Sequence, residues 1–287
     1  MRNITRTTKP RWVFGQSNVL STVILITTIL TLSAIFLVFS MVQFSNEAAQ
    51  SSIQYVASFL TNVADDIDTF MFTPGAILTY KLPNTNYGIY NFVNSTNAQC
   101  NITIMVPGEL KITKTSGELI YGVPPNYFSL PPGSIVIWRG STLNGMPTSS
   151  SSDFSLIVSY GTNVLMGTSI AILQLGYGKL GGNYYGTYLV MVPRVIVVNG
   201  TGADGVGYVY IPLLTSIGSQ GRGELVINIM NISAQSIVFN GKLNGELEVN
   251  EICYLGNGVV LRKPVHPVTV VGNTVYIIII QIGVGFG

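Results

Sequence analysis

Between Val19 and Phe44 the chain carries 26 consecutive residues without a formal charge, VLSTVILITTILTLSAIFLVFSMVQF. As a helix rising ~1.5 Å per residue, this block is long enough to cross a hydrocarbon core of ~30 Å. Its polar atoms are Ser and Thr hydroxyls, which can bond back to their own helix carbonyls, and Gln43 near the outer end. The helical pattern continues past Asn46 and Glu47. Apolar residues fall at Ile53, Val56, Leu60, Val63, Ile67 and Phe70, an alternation of three and four that marks a helix packing along one seam. Thr73-Pro74-Gly75 is the stop signal. The spacing predicts one helix over 16–72, a transmembrane half followed by an amphipathic stem.

From Ala76 the hydrophobic period changes to two. Ala76–Tyr80, Ile89–Val93, Ile102–Val106, Leu110–Thr113, Glu118–Tyr121 and Ser134–Trp138 read as strands between turn clusters rich in Pro, Gly, Asn and Ser. Further strands are expected over 154–160, 164–175, 184–198, 207–214, 224–232, 236–239, 246–254, 259–262 and 268–271; 163–175 and 212–217 also have a weaker helical reading. Short strands at this spacing imply an antiparallel sandwich or barrel. The expected class is α+β: one long amino-terminal helix, then an all-β head over 76–287. Gly140–Asp153 is a long loop or a boundary between two β subdomains. The last segment, Thr274–Gly287, is apolar on both faces at first and turns Gly-rich on one. It reads as a strand buried on both sides, or as one that pairs with a neighbouring subunit.

Charge sets the topology. Only 9% of residues are charged, against about 25% in ordinary soluble domains. A surface kept polar by Ser, Thr, Asn and Gly suits an extracellular protein, one facing extreme pH. Arg2, Arg6, Lys9 and Arg11 precede the apolar block, and every Asp and Glu follows it. By the positive-inside rule residues 1–15 are a basic cytoplasmic leader and the remainder lies outside. The tail is too short, and too close to a span, to act as a nucleic-acid arm. Asn94, Asn101, Asn199 and Asn231 open sequons on the outer side and are candidate glycan acceptors; Asn3 opens one on the inner side. Cys100 and Cys253 either form one disulfide between an early and a late strand or stay as two buried thiols.

Signals for catalysis or cofactors are thin. The one histidine, His266, stands in Pro-Val-His-Pro with no nucleophile or zinc spacing beside it. Gly176–Gly181 matches a dinucleotide fingerprint in form, but Gly-Asn-Tyr-Tyr follows and opens no helix, so it reads as a Gly-rich β turn. Asp65, Asp66 and Asp68 read as a solvated helix face rather than a metal site. No metal and no cofactor is expected.

A short basic leader, Gly15 followed by Gln16-Ser17-Asn18, then a long apolar helix that continues as a stem: this resembles the class III signal of archaeal type IV pilins and pilin-like proteins. Ala64–Phe92 is similar to their stem-to-head junction, where an acidic helix end leads through a turn into a strand, a Leu-Pro and a Tyr-Gly. The resemblance implies a prepilin peptidase cut between Gly15 and Gln16, and a helix that packs with its copies in a filament core. The alternative keeps the leader, with Trp12 and Phe14 as an interfacial aromatic belt. The chain is then a membrane-anchored protein whose head binds the S-layer or another envelope partner. A secreted β-fold enzyme is the third reading; it needs a cluster of acids in a pocket.

Overall fold

The structure, a computed structural model, describes residues 13–84, 86–94, 100–106, 110–140, 156–160, 168–199, 205–218, 223–238, 247–256, 260–262 and 274–286. One helix, α1, spans Val13–Phe70. After it come β1 (Ile77–Lys81), β2 (Ile89–Val93), β3 (Cys100–Val106), β4 (Leu110–Ser116), β5 (Glu118–Val123) and β6 (Ile135–Arg139). Next are β7 (Ile157–Tyr160), β8 (Ile170–Leu175), β9 (Gly178–Leu180), β10 (Asn183–Tyr185), β11 (Thr187–Pro193) and β12 (Val195–Val198). The last are β13 (Val206–Ser216), β14 (Glu224–Val238), β15 (Glu248–Tyr254), β16 (Val260–Arg262) and β17 (Thr274–Phe286). The class is α+β.

Two units divide the chain, residues 1–48 and residues 49–287. In the first, the described residues are helical, and the large apolar side chains from Val19 to Phe44 are all exposed, the least so being Ile26 at 52%. Thr27 and Thr31 hydroxyls donate to the carbonyls of Val23 and Thr27, both at 2.8 Å. Their polar atoms are thereby met within the helix, which a lipid environment requires.

The second unit contains α1 from Ala49 onward and all the strands. Its six-stranded sheet has the order β1-β14-β17-β13-β12-β7, its five-stranded sheet β2-β5-β11-β8-β6 and its four-stranded sheet β16-β15-β3-β4; β9 and β10 pair as a hairpin. The stem of α1 lies in the core between the first two sheets. It packs on Leu225, Ile227, Ile280 and Ile282 on one side and on Leu119, Tyr121, Ile172 and Leu189 on the other. The opposite face of the six-stranded sheet, with Val209, Ile211, Val275 and Ile277, packs on Ile102, Ile104 and Val249 of the four-stranded sheet. β17 is therefore central in its own sheet and covered on both faces, which accounts for its double apolar character.

Several expectations need correction. Not every pairing is antiparallel: β12 runs parallel to β7, and β13 parallel to β17. The stretch 184–198 is not one strand. It breaks at Arg194, where the chain leaves the five-stranded sheet (β11) and enters the six-stranded one (β12). The stretches 224–232 and 236–239 merge into β14, which absorbs a bulge between Ile229 and Asn231. Residues 212–216 are strand, and so are 170–175. Of the two readings of 140–153, a long loop within one head or a boundary, the sheet order accords with the first, since β2, β5 and β6 share a sheet with β8 and β11. All of that segment but Gly140 lies outside the described residues.

Candidate functional site

The stem buries a stripe of Ala49, Ile53, Val56, Ala57, Leu60, Val63, Ala64 and Ile67, none more than 2% exposed. Phe70, expected to continue the seam, is 39% exposed; Met71 takes the buried place at 3%. The reason is that α1 ends at Phe70 and the chain turns there. The Thr73 N–H donates to the Phe70 carbonyl at 2.8 Å, and Gly75 adopts φ 83°, a left-handed conformation that glycine takes at no steric cost. The Gly75 N–H then donates to the Ile229 carbonyl at 2.7 Å and hands the chain to the sheet.

A polar clamp closes the same end of the stem. Arg139 of β6, only 8% exposed, reaches Asp65 at 2.7 Å and Asp68 at 2.5 Å with Nη2. Its Nε donates to Asp65 Oδ1 at 3.1 Å, and Nη1 donates to the Ile170 carbonyl at 2.5 Å. The other Asp68 oxygen accepts the Ser169 N–H at 2.9 Å and the Ser169 hydroxyl. Asp66 points elsewhere and accepts from Tyr80 Oη at 2.7 Å. The three aspartates thus bind the stem to β1, β6 and the start of β8, which corrects the reading of a merely solvated face. Arg139 was missed in the sequence because it closes an apolar strand, where a polar end residue is unremarkable. The Tyr80 hydroxyl is pushed up by burial and by Asp66, which prefers it protonated.

A second polar cluster surrounds the cysteines. Cys100 and Cys253 lie directly opposite across β3 and β15 and form a disulfide, both fully buried. Glu118 Oε1 is 3.5 Å from the Cys100 sulfur, and Glu251 Oε1 is 4.0 Å from that of Cys253. Cys100, Glu251 and Cys253 have the donor set of a metal site. With the sulfurs bonded to each other, however, they supply no thiolate to a cation. Burial pushes both carboxyls well above the usual range; for Glu251 the Val195 N–H and the Arg194 charge oppose it. Tyr188 is pushed up to about 12, chiefly by burial and then by Glu118. Its hydroxyl donates to the Leu255 carbonyl at 2.5 Å.

Gly15 and Gln16 fall within α1. Among the sequons, Asn94 is exposed, Asn101 is half-buried in β3, Asn199 is half-buried after β12, and Asn231 is exposed at the β14 bulge. Asn3, Trp12 and His266 lie outside the described residues. The Gly176–Gly181 stretch supplies β9 and the start of the turn of the β9–β10 hairpin, with Gly181 and Gly182 at φ 58° and 90°. Two successive positive φ values make the tight hairpin turn that glycine permits, and no helix follows to hold a pyrophosphate. No protein family, no curated protein and no solved structure matches the chain.

Proposed function

We propose that the chain is a structural cell-surface protein, a pilin-like subunit of an archaeal type IV filament concerned with adhesion or assembly. The observation that carries this is the contrast along α1. From Val19 to Phe44 its apolar side chains stand uncovered, whereas from Ala49 onward its apolar stripe is sealed by sheets. Water is a poor medium for the first part, because soluble monomers seldom leave apolar patches larger than a few hundred Å² uncovered. Lipid or a bundle of identical helices suits it, since either buries an all-round apolar surface. The membrane and further copies of the chain are then its partners, a prepilin peptidase is its processing enzyme, and the head lies outside the cell. No catalytic role is assigned.

The second reading, an uncleaved single-pass anchor whose head binds an S-layer or other envelope partner, draws on one residue. Phe14 stands before Gly15, where the class III signal usually has Lys or Arg. The intact mass and amino-terminal sequence of the membrane-extracted protein separate the two. A mature chain starting at Gln16 supports the filament subunit. One that keeps the leader rules out processing and leaves the anchor.

A further inference from the structure

We propose that the β region buries Glu118 as a neutral carboxylic acid, and so holds its fold best in an acidic medium and loosens as the medium is brought to neutrality. The inference does not depend on whether the chain forms filaments.

The geometry is specific. Glu118 opens β5, a strand buried along its whole length, and is itself 0% exposed. It shares a face with Ile120, whose core includes Val93, Cys100 and Cys253. Its Oε1 looks at the Cys100 sulfur, which is bonded to Cys253 and has no proton to give. Its Oε2 is buried with no hydrogen-bond partner. Among the described residues no ammonium or guanidinium forms an ion pair with it; the two ion pairs both belong to Arg139.

The titratable groups that face it from the packed elements do not help an anion. Tyr188 of β11 spends its proton on the Leu255 carbonyl. Across the disulfide stands a second acid, Glu251 of β15, whose Oε2 takes the Val195 N–H at 3.3 Å. Arg194 acts on Glu251 and donates to the Thr168 carbonyl at 3.5 Å and to its hydroxyl. An ionised carboxylate at Glu118 would have lost its water and gained neither a donor nor a counter-charge. Protonation removes the charge, and the neutral acid costs far less to bury.

The sign follows. The folded state binds the Glu118 proton more tightly than the unfolded chain does. Its contribution is complete below the ordinary Glu value of about 4.3 and is lost as pH rises through the folded value. Within that window one linked proton raises the unfolding constant up to about tenfold per pH unit. Most folds weaken in acid because paired carboxylates are neutralised. The acidic residues number only 12 in 287, and among the described residues the ion pairs of this kind are the two that Arg139 makes with Asp65 and Asp68.

The test is reversible unfolding of the full chain in detergent between about pH 3 and pH 8, wild type beside Glu118→Gln. The expected result is a wild-type unfolding constant that climbs with pH, and a variant in which up to about tenfold per unit of that climb is gone. A wild-type constant that is flat or falls toward high pH, or an equal slope in the two proteins, overturns the proposal. Should the variant fail to fold, infrared spectroscopy of the native wild type decides. A carboxylic-acid carbonyl band that persists at about pH 6, and persists also in Glu251→Gln, which removes the other buried acid, supports it; loss of that band by then, or on Glu251→Gln, overturns it.

Discussion

Asp68 and Arg139 lie 71 residues apart in the chain and meet at 2.5 Å, joining the end of the helix to an edge strand of the five-stranded sheet. Asp68 also takes the Ser169 N–H, so one carboxylate fixes the helix, β6 and the approach to β8 together. Bonds of this kind between charged, largely buried groups are stronger than neutral ones and carry a defined geometry.

Truncating Arg139 to Ala should destabilise the fold by about 3 kcal/mol, because Asp68 is left mostly buried without its counter-charge. Asp65→Ala should cost no more than about 1 kcal/mol, since the Asp65 side chain is 61% exposed. Urea midpoints of the detergent-solubilised chain check the ordering. Equal losses would show that the clamp does not act as described.

Leu60, fully buried at the centre of the stem stripe, and Tyr55, 63% exposed, are five residues apart on one helix. Leu60→Ala should lower stability by about 2–5 kcal/mol through lost burial and a cavity. Tyr55→Ala should stay within about 0.5 kcal/mol. Thermal unfolding of both variants is the measurement, and a mild Leu60 variant would mean that the stem is not part of the head's core.

The disulfide bridges 153 residues of separation. Replacing both cysteines with Ala should cost about 2–5 kcal/mol, mostly by freeing the unfolded chain. Both sulfurs are 0% exposed, so a reductant should act on the native protein only as fast as the protein opens. Mass shift after thiol alkylation, with and without denaturant, reads this directly. Rapid alkylation under native conditions would contradict the burial.

At the alkaline end Tyr188 gives a second pH limb. Its folded value is raised to about 12 by burial first and Glu118 second. The unfolded value is about 10, so its contribution is complete below that and lost as pH climbs through the folded value. Tyr188→Phe should remove its share of this limb together with the bond to Leu255, while Tyr80, Tyr90 and Tyr210, also pushed up by burial, keep theirs. Tyrosinate absorbance followed against unfolding between about pH 9 and pH 13 tests it, and an unchanged alkaline limb in the variant would refute it.

The helix was legible because its signal is local. A 26-residue uncharged run and a three-four alternation need no partner to be read. The change to period two after Pro74 was equally plain, and so was the double-sided burial of Thr274–Phe286. Strand pairing was not legible. Whether β17 lies beside β13 in parallel or beside an antiparallel neighbour leaves no local mark, because the same apolar side chains serve both. The switch of sheets at Arg194 was hidden for a related reason, as residues on either side of it are all buried and show no periodicity.

The linear order of residues by itself determined a greasy helix, an amphipathic continuation and a set of strands. Each follows from side-chain period and backbone preference within one segment. Only the tertiary structure decided that Asp65 and Asp68 would find Arg139, that Phe70 would turn outward while Met71 turned in, and that Glu118 would be sealed beside a disulfide without a charge to meet it. These are outcomes of long-range packing, in which a side chain's fate depends on which distant surface closes over it.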